Sequence, residues 1–322
     1  MKFDFSNLKI FSAIGARASF GLILNNLAKT DEDLIVVTAD VSTSAGLDRF
    51  KKNYKKRLID VGIAEQNLIG IATGLSSVGY KSITTTFSPF QTLRCLEQIK
   101  VNLSYMKEKV IMVGLASGLC LGNLGFTHCS IDDIGALRSL PNITIISPAD
   151  CYELYKTIKA SLKHKNSVYI RLTGEKNLPI IYKKDYQFSI GEPIEIIKGK
   201  DVCLFSNGAI LNEAIKCSEF LIKKGISVNV INVHTIKPIN QQKILKFIKN
   251  KKLILTLEEH NIIGGLGSAI AEIMSDGGYR TKLIRLGIND NYMNSGSYEY
   301  LKNKYKLTEK HVSKVILGKI KN

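Results

Sequence analysis

The chain has 322 residues, of which 45% are hydrophobic, so it is long enough to form two domains that each bury a core. The N-terminus lacks a signal peptide, no apolar run reaches the roughly 20 residues of a membrane span, and the six cysteines form no CxxC pair, which together predict a cytoplasmic protein with reduced thiols and no membrane contact. The net charge of +17 comes mainly from lysines spread along the chain without interleaved aromatic residues, which favours a solvated basic surface and argues against nucleic-acid binding.

Short apolar runs alternate with helix-like segments in the first half of the chain. The pattern predicts strands at 34–38, 82–86, 110–114, 143–147 and 168–172, and helices at 65–78, 90–105, 131–139 and 152–162. Strands that alternate with helices need crossover connections, so this half is expected to form a mainly parallel sheet flanked by helices. In such a sheet the loops after the strands carry the ligand site.

The second half repeats this alternation after a break. Residues 176–192 contain Pro179, charges and tyrosines with little periodicity, which indicates a linker. The pattern then predicts strands at 202–206, 228–233, 253–257 and 283–286, and helices at 209–223, 241–248, 264–274, 297–303 and 309–317. We therefore predict an α/β protein with two domains, residues 1–175 and 193–322, each built on a mainly parallel sheet flanked by helices.

Residues 58–90 are the most informative segment. Glu65 opens an apolar, helix-like run directly after a turn, and Phe87 and Phe90 follow a β-branched strand. A carboxylate with two aromatic side chains suits an aromatic nitrogen ring, because the side-chain rings can stack on it while the carboxylate holds one ring nitrogen. Taken singly, Glu65 also fits a helix cap and the phenylalanines also fit a core, but their order and spacing favour a cofactor site.

The same residues belong to a longer pattern. Gly62 to Glu65 has the form GxxE and Thr86 to Phe90 the form TFxxF, and the segments GFTH at 125–128, SLPN at 139–142 and SPAD at 147–150 follow. In this order the segments resemble the transketolase family, and the resemblance covers nearly the whole chain. It implies a pyrimidine-binding domain followed by a transketolase C-terminal domain.

The resemblance also implies a thiamine diphosphate enzyme that moves a two-carbon ketol unit from a ketose, expected to be phosphorylated, to an aldose. In the family a glutamate exchanges a proton with the aminopyrimidine ring of the cofactor. The implied roles are catalysis for Glu65 and His128, cofactor contact for Glu65, Phe87, Phe90 and Asp40, and substrate contact for Arg17, Ser44, His128 and Arg171.

Several positions depart from the family pattern around the substrate. Ala116 and Leu124 stand where transketolases carry a histidine and an aspartate that read the sugar. Gly174 stands where they carry an arginine, and Arg171 is the nearby candidate to replace it. These departures leave the identity of the donor and acceptor sugars open.

The sequence also lacks half of the cofactor site. Thiamine diphosphate enzymes bind the diphosphate and its Mg²⁺ (or Ca²⁺) through a GDG motif followed by an asparagine, and no such pattern occurs here. The chain therefore resembles the C-terminal subunit of a split transketolase. A separate N-terminal subunit with the diphosphate-binding domain is expected to hold most of the metal contacts, in an α2β2 assembly.

Two alternatives within related chemistry remain open. The β subunit of a 2-oxoacid dehydrogenase has a similar length and domain order, although the TFxxF, FTH and SLPN segments favour transketolase. A specialised sugar-transforming transketolase of surface-glycan biosynthesis would account for the altered substrate positions. Separately, the glycines of Gly264 to Ser268 open a helix and could bind a phosphate, or could form a structural turn.

Overall fold

The structure, a computed structural model, describes residues 5–320 and places them in two mainly parallel sheets, each flanked by helices. This confirms the predicted fold class. The strands are β1 (Leu34–Thr38), β2 (Leu58–Asp60), β3 (Lys81–Phe87), β4 (Val110–Leu115), β5 (Ile143–Ile146), β6 (Ser167–Arg171), β7 (Ile194–Ile197), β8 (Val202–Ser206), β9 (Val228–Asn232), β10 (Thr235–Lys237), β11 (Leu253–Asn261) and β12 (Leu283–Ile288). The α-helices are α1 (Leu8–Leu27), α2 (Asp48–Asn53), α3 (Glu65–Ser77), α4 (Ser88–Thr92), α5 (Leu96–Gln98), α6 (Asp133–Arg138), α7 (Cys151–Lys163), α8 (Leu211–Ile222), α9 (Gln241–Ile248), α10 (Leu266–Asp276), α11 (Tyr298–Lys304) and α12 (Glu309–Ile320).

The first sheet has seven strands in the order β10-β5-β6-β4-β3-β1-β2. All of its pairings are parallel except that of β10 with β5. The central strands β1, β4 and β6 are buried along their whole length, because helices cover both faces of the sheet. Strand β10 comes from the chain beyond the predicted linker, so the C-terminal part of the sequence completes the sheet of the N-terminal part.

The second sheet has five strands in the order β12-β11-β8-β9-β7. Only β7 runs antiparallel to its neighbour. Helices α8 and α12 pack together against one apolar cluster of this sheet, while α9 and α10 cover the other. The short strands β2, β7 and β10 were not predicted, because runs of three or four half-buried residues carry too little periodicity.

Helix α1 was also missed, because its apolar residues show no clear stripe. By length and apolar composition it could cross a membrane, but Phe11, Phe20 and Leu24 are buried in the core of the first domain. The helix is broken at Gly15, whose φ of 80° lies in the left-handed region that favours glycine. A Cβ at this position would lie 2.9 Å from the carbonyl oxygen of Glu175, so the break makes room for the loop that follows β6.

The predicted helix at 90–105 is helical but not continuous. Helix α4 passes into a 3-10 turn at Leu93–Cys95, then into α5, and then into a π-helical stretch at Ile99–Tyr105. Such interruptions occur where a helix is shaped around a site. Here the interruption turns the side chain of Arg94 towards the start of α3, where it forms an ion pair.

His234, before β10, gives a prediction about acid stability. Burial lowers the pKa of its imidazole to about 4, and the ring packs 4.5 Å from that of Phe188. A histidine whose pKa is lower in the folded protein contributes stability that is lost as the pH falls from the unfolded value, about 6.5, to about 4. Relative to a His234→Gln variant, the free energy of unfolding of the native chain should therefore drop by roughly 3 kcal/mol over this range. Urea unfolding between pH 7 and 4 tests this, and parallel curves for the two proteins would contradict it.

Candidate active site

The carboxyl ends of four neighbouring strands bring the predicted site residues to one edge of the first sheet. Strand β1 leads into Asp40, β2 leads towards Glu65, β3 ends at Phe87 and β4 leads into the loop of His128. Parallel strands that are adjacent in a sheet end side by side, which is why residues far apart in sequence meet here.

Glu65 is the first residue of α3 and is nearly buried, with 4% of its surface exposed. Its Oε1 accepts a hydrogen bond from Nη1 of Arg94 at 2.8 Å. No other side-chain hydrogen bond to this carboxylate occurs among residues 5–320, so Oε2 is free to face a ligand. The position at a helix N-terminus stabilises the negative charge.

Three rings form a cluster beside this carboxylate. The ring centroid of Phe90 lies 6.3 Å from that of Phe87 and 5.3 Å from that of His128, and Phe87 lies 5.9 Å from His128. All three pairs meet edge to face, which is a favourable arrangement for aromatic rings and leaves ring faces available for stacking. The structure therefore brings Phe87, Phe90 and His128 together, as the sequence predicted.

The loop that carries His128 is held by the C-terminal half of the chain. The N–H of Gly118 donates to the carbonyl of Ser130 at 2.9 Å and closes the base of the loop. The N–H of Gly296 donates to the carbonyl of Gly122 at 3.0 Å, and a Cβ on Gly122 would clash with a side-chain carbon of Leu301. The C-terminal domain thus fixes the path of the loop on which His128 is presented.

Arg94 was missed by sequence reasoning. Its guanidinium carbon lies 4.1 Å from the ring centroid of Phe90, while Nη1 binds Glu65, so one side chain touches both the carboxylate and the aromatic cluster. The available signal was spacing, because residues four apart on a helical segment are neighbours and Arg94 follows Phe90 by four. Burial raises the pKa of the adjacent Cys95 thiol to about 12, and the charge of Glu65 adds to this effect.

Arg17 and Ser44 line one cavity of about 610 Å³. The cavity lies where α1 is broken at Gly15, and the loop after β6 forms its opposite wall with Glu175 and Lys176. Burial raises the pKa of the Glu175 carboxyl, an effect strengthened by the charge of Glu299 and opposed by that of Arg17. The two residues predicted to bind substrate are therefore brought together, and their roles stay predictions.

Asp40 lies exposed at the end of β1 with a φ of 56°, in the left-handed region. Its N–H donates to Oδ1 of Asp60 at 2.9 Å, and the N–H of Gly62 donates to the same oxygen at 3.1 Å. Asp60 thus shapes the turn that leads from β2 to Glu65. The carboxylate of Asp40 faces solvent, so its predicted cofactor contact stays a prediction.

The predicted substrate contact of Arg171 needs correction. This side chain is 1% exposed and lies at the junction of the two domains, outside the cavity of Arg17. Its Nε donates to Asp133 at 2.8 Å, and its Nη2 donates to the carbonyls of Ser130 at 2.8 Å and Glu259 at 2.6 Å. Arg171 is therefore occupied in joining the domains and does not replace the arginine absent at Gly174.

The other substrate positions are apolar in the structure as in the sequence. Ala116 is buried after β4 with a φ of 54°, and Leu124 is 52% exposed beside the approach to His128. Gly174, at a φ of 77°, leaves room for Leu178 and Ala209. None of the three offers a side-chain hydrogen bond to a sugar.

The glycine-rich helix start at Gly264 to Ser268 is not a free phosphate site. The carboxylate of Glu258 accepts hydrogen bonds from the N–H groups of Leu266 at 2.6 Å and Gly267 at 2.7 Å. Burial raises the pKa of this carboxyl to about 7, against the lowering effect of those two N–H groups. The turn is therefore structural, because the protein's own carboxylate already fills the position that a phosphate would take.

The arrangement fits a thiamine pyrimidine ring, since a carboxylate oxygen without a partner stands beside a cluster of aromatic rings. A diphosphate and its metal find no comparable donor set: no group of three or more His, Cys, Asp or Glu side chains in residues 5–320 could hold a metal ion.

Comparison with known proteins is consistent with this geometry. Residues 12–179 match the family described as Transketolase, pyrimidine binding domain, and residues 194–312 match Transketolase, C-terminal domain. One of the subunits of the apulose-4-phosphate transketolase of Actinobacillus succinogenes is 39% identical over 81% of this chain and 84% of its own length. A 6-deoxy-6-sulfo-D-fructose transketolase subunit of a Clostridium species is 33% identical over 90% of this chain and 89% of its own length. A solved structure described as a split gene transketolase, inactive beta4 tetramer, superposes with a TM-score of 0.86 at 30% identity, covering 96% of this chain and 99% of that chain.

Proposed function

Because this chain belongs to the transketolase family, we propose that it is the C-terminal subunit of a split, thiamine diphosphate-dependent transketolase. The proposed reaction moves a two-carbon ketol unit from a phosphorylated ketose to an aldose in the cytoplasm. The observation that carries the proposal is the constellation of Glu65 with the rings of Phe87, Phe90 and His128 at one sheet edge.

Thiamine diphosphate, when bound, supplies the carbon nucleophile that accepts the two-carbon unit. This chain contributes the pyrimidine side of the site. Phe87 and Phe90 offer stacking surfaces, and Glu65 offers a carboxylate oxygen that can hold and exchange a proton at a ring nitrogen. His128, next to both rings, is placed to donate or accept a proton at a substrate hydroxyl.

A second subunit is part of the proposal. Two relatives are named as subunits, and the structural neighbour is described as an inactive beta4 tetramer. These names support an N-terminal partner that provides the diphosphate and Mg²⁺ contacts, in an α2β2 assembly. The exposed carboxylate of Asp40 and the open side of Glu65 would then face that partner.

The substrate is proposed only by class. Arg17 is a cation exposed in a cavity with Ser44 and Lys176, which suits an anionic group on a sugar. The relatives are named for apulose 4-phosphate and for a sulfonated sugar, both of which carry such a group. The apolar Ala116, Leu124 and Gly174 remove polar contacts and support a substrate other than the ordinary pentose pair.

A transfer assay on the reconstituted complex tests the proposal. The complex of this chain with an N-terminal subunit that carries the GDG and asparagine motif should transfer a two-carbon unit from a phosphorylated ketose to one member of a panel of aldoses. It should not decarboxylate pyruvate or branched 2-oxoacids onto a lipoyl carrier. Turnover of 2-oxoacids alone would contradict the proposal and favour the dehydrogenase alternative.

A further inference from the structure

We propose that Arg94 is the positioning residue of Glu65, an inference that rests on the proposed function. In this view one guanidinium fixes the carboxylate and the aromatic cluster as a single unit. It occupies Oε1 of Glu65 and leaves Oε2 to the ring nitrogen of the cofactor.

The first argument is the difference in burial between the two partners. The side chain of Glu65 is 5% exposed, whereas that of Arg94 is 44% exposed. Arg94 reaches inwards from the surface, and no other cation pairs with Glu65 among the described residues. A buried carboxylate depends strongly on its partner, unlike the members of an ion pair that lies wholly at the surface.

The second argument is that Arg94 is held at both ends. Its backbone carbonyl accepts a hydrogen bond from Nε2 of Gln66 at 3.3 Å, which ties the 3-10 turn to the start of α3. Its guanidinium lies over the ring of Phe90, with the carbon 4.1 Å from the centroid. A planar guanidinium can stack on a ring and donate to a carboxylate at the same time, which a lysine ammonium cannot do.

The third argument is geometric economy at the reacting group. A carboxylate that rotates freely spends little time with one oxygen aimed at the ring nitrogen. With Oε1 fixed by Arg94, the other oxygen has a defined direction, and small errors in such a direction are costly for proton exchange. Arg94 thus acts through Glu65 and needs no contact with the substrate.

The experiment uses the complex with its N-terminal subunit and compares Arg94→Ala and Arg94→Lys with the native protein. Calorimetry gives the dissociation constant of thiamine diphosphate, and exchange of the cofactor C2 proton is followed by quenched-flow NMR. We expect Arg94→Ala to bind the cofactor about tenfold more weakly and to exchange the proton at least about tenfold more slowly, with sugar KM values unchanged. Added guanidinium at millimolar concentration should restore part of the exchange rate in Arg94→Ala, and lysine should substitute poorly.

Arg57→Ala is the matched control. Arg57 also lies over an aromatic ring, 4.2 Å from the centroid of Tyr54, but it donates to the carbonyls of Ala28 and Asp31 before β2, at the opposite end of that strand from the site. This variant should bind cofactor and exchange the proton as the native complex does. Native-like affinity and exchange in Arg94→Ala, or a defect that guanidinium does not relieve, would overturn the inference. A native complex that binds no thiamine diphosphate would instead overturn the proposed function.

Discussion

Replacing Glu65 by glutamine should abolish turnover while leaving the fold intact. The amide keeps the size of the side chain and can still accept the hydrogen bond from Arg94, but it cannot exchange a proton with the cofactor ring. Positioned acid–base groups contribute about 10²–10⁴-fold, and this one precedes every later step, so we expect a loss of at least roughly 10²-fold, about 2.7 kcal/mol or more in the barrier. Turnover and C2 proton exchange in the complex measure it.

The competing interpretation of Glu65 is a helix cap. In that case Glu65→Gln would cost about 1 kcal/mol of stability or less and would leave exchange nearly unchanged. Thermal melting of the variant separates the two interpretations, because the catalytic role predicts a large kinetic loss with a small change in melting temperature. Near-normal proton exchange would show that the central assignment is wrong.

Replacing Asp133 by alanine should give the largest loss of stability. Asp133 and Arg171 are both fully buried, and their 2.8 Å ion pair joins the first sheet to the carbonyl of Glu259 in the second domain. Burial opposes ionisation of Asp133, but Arg171 and His260 outweigh it and lower the pKa of the carboxyl. Removing the carboxylate leaves a buried guanidinium without its partner, which costs about 3–5 kcal/mol. Urea unfolding at neutral pH measures this loss.

A double variant and a surface pair provide the controls. Asp133→Leu combined with Arg171→Met removes both charges and should be less destabilised than Asp133→Ala, because no buried charge remains. Asp31→Ala breaks the exposed 2.8 Å pair with Lys81 and should cost about 1 kcal/mol or less. A loss at Asp133 no larger than that at Asp31 would mean that the buried pair does not join the domains energetically.

The fold could be predicted because its signals are local and repeated. Strands such as β1 and β4 are continuous β-branched and apolar runs, and amphipathic helices such as α7 carry the 3.6-residue period. Helix α1 escaped because it is apolar on most sides and broken at Gly15. Strand β10 escaped because its three residues become a strand only by pairing with β5, more than 80 residues earlier in the chain.

The site could be predicted in part. Glu65, Phe87, Phe90 and His128 follow recognisable local patterns, and the structure brings the three rings together. Arg171 was assigned to the substrate because it lies three residues from Gly174, but it is a strand residue whose side chain points into the domain junction. Proximity in sequence does not fix the face of a strand on which a side chain lies, since successive side chains alternate.

The central claim is that this chain holds only the pyrimidine side of a shared thiamine diphosphate site. Calorimetric titration of thiamine diphosphate with Mg²⁺ into the purified chain, and into an equimolar mixture with its N-terminal subunit, tests it most directly. We expect weak binding without saturation for the chain alone and tight binding at one cofactor per pair of subunits for the mixture. Tight stoichiometric binding by the chain alone would contradict the claim.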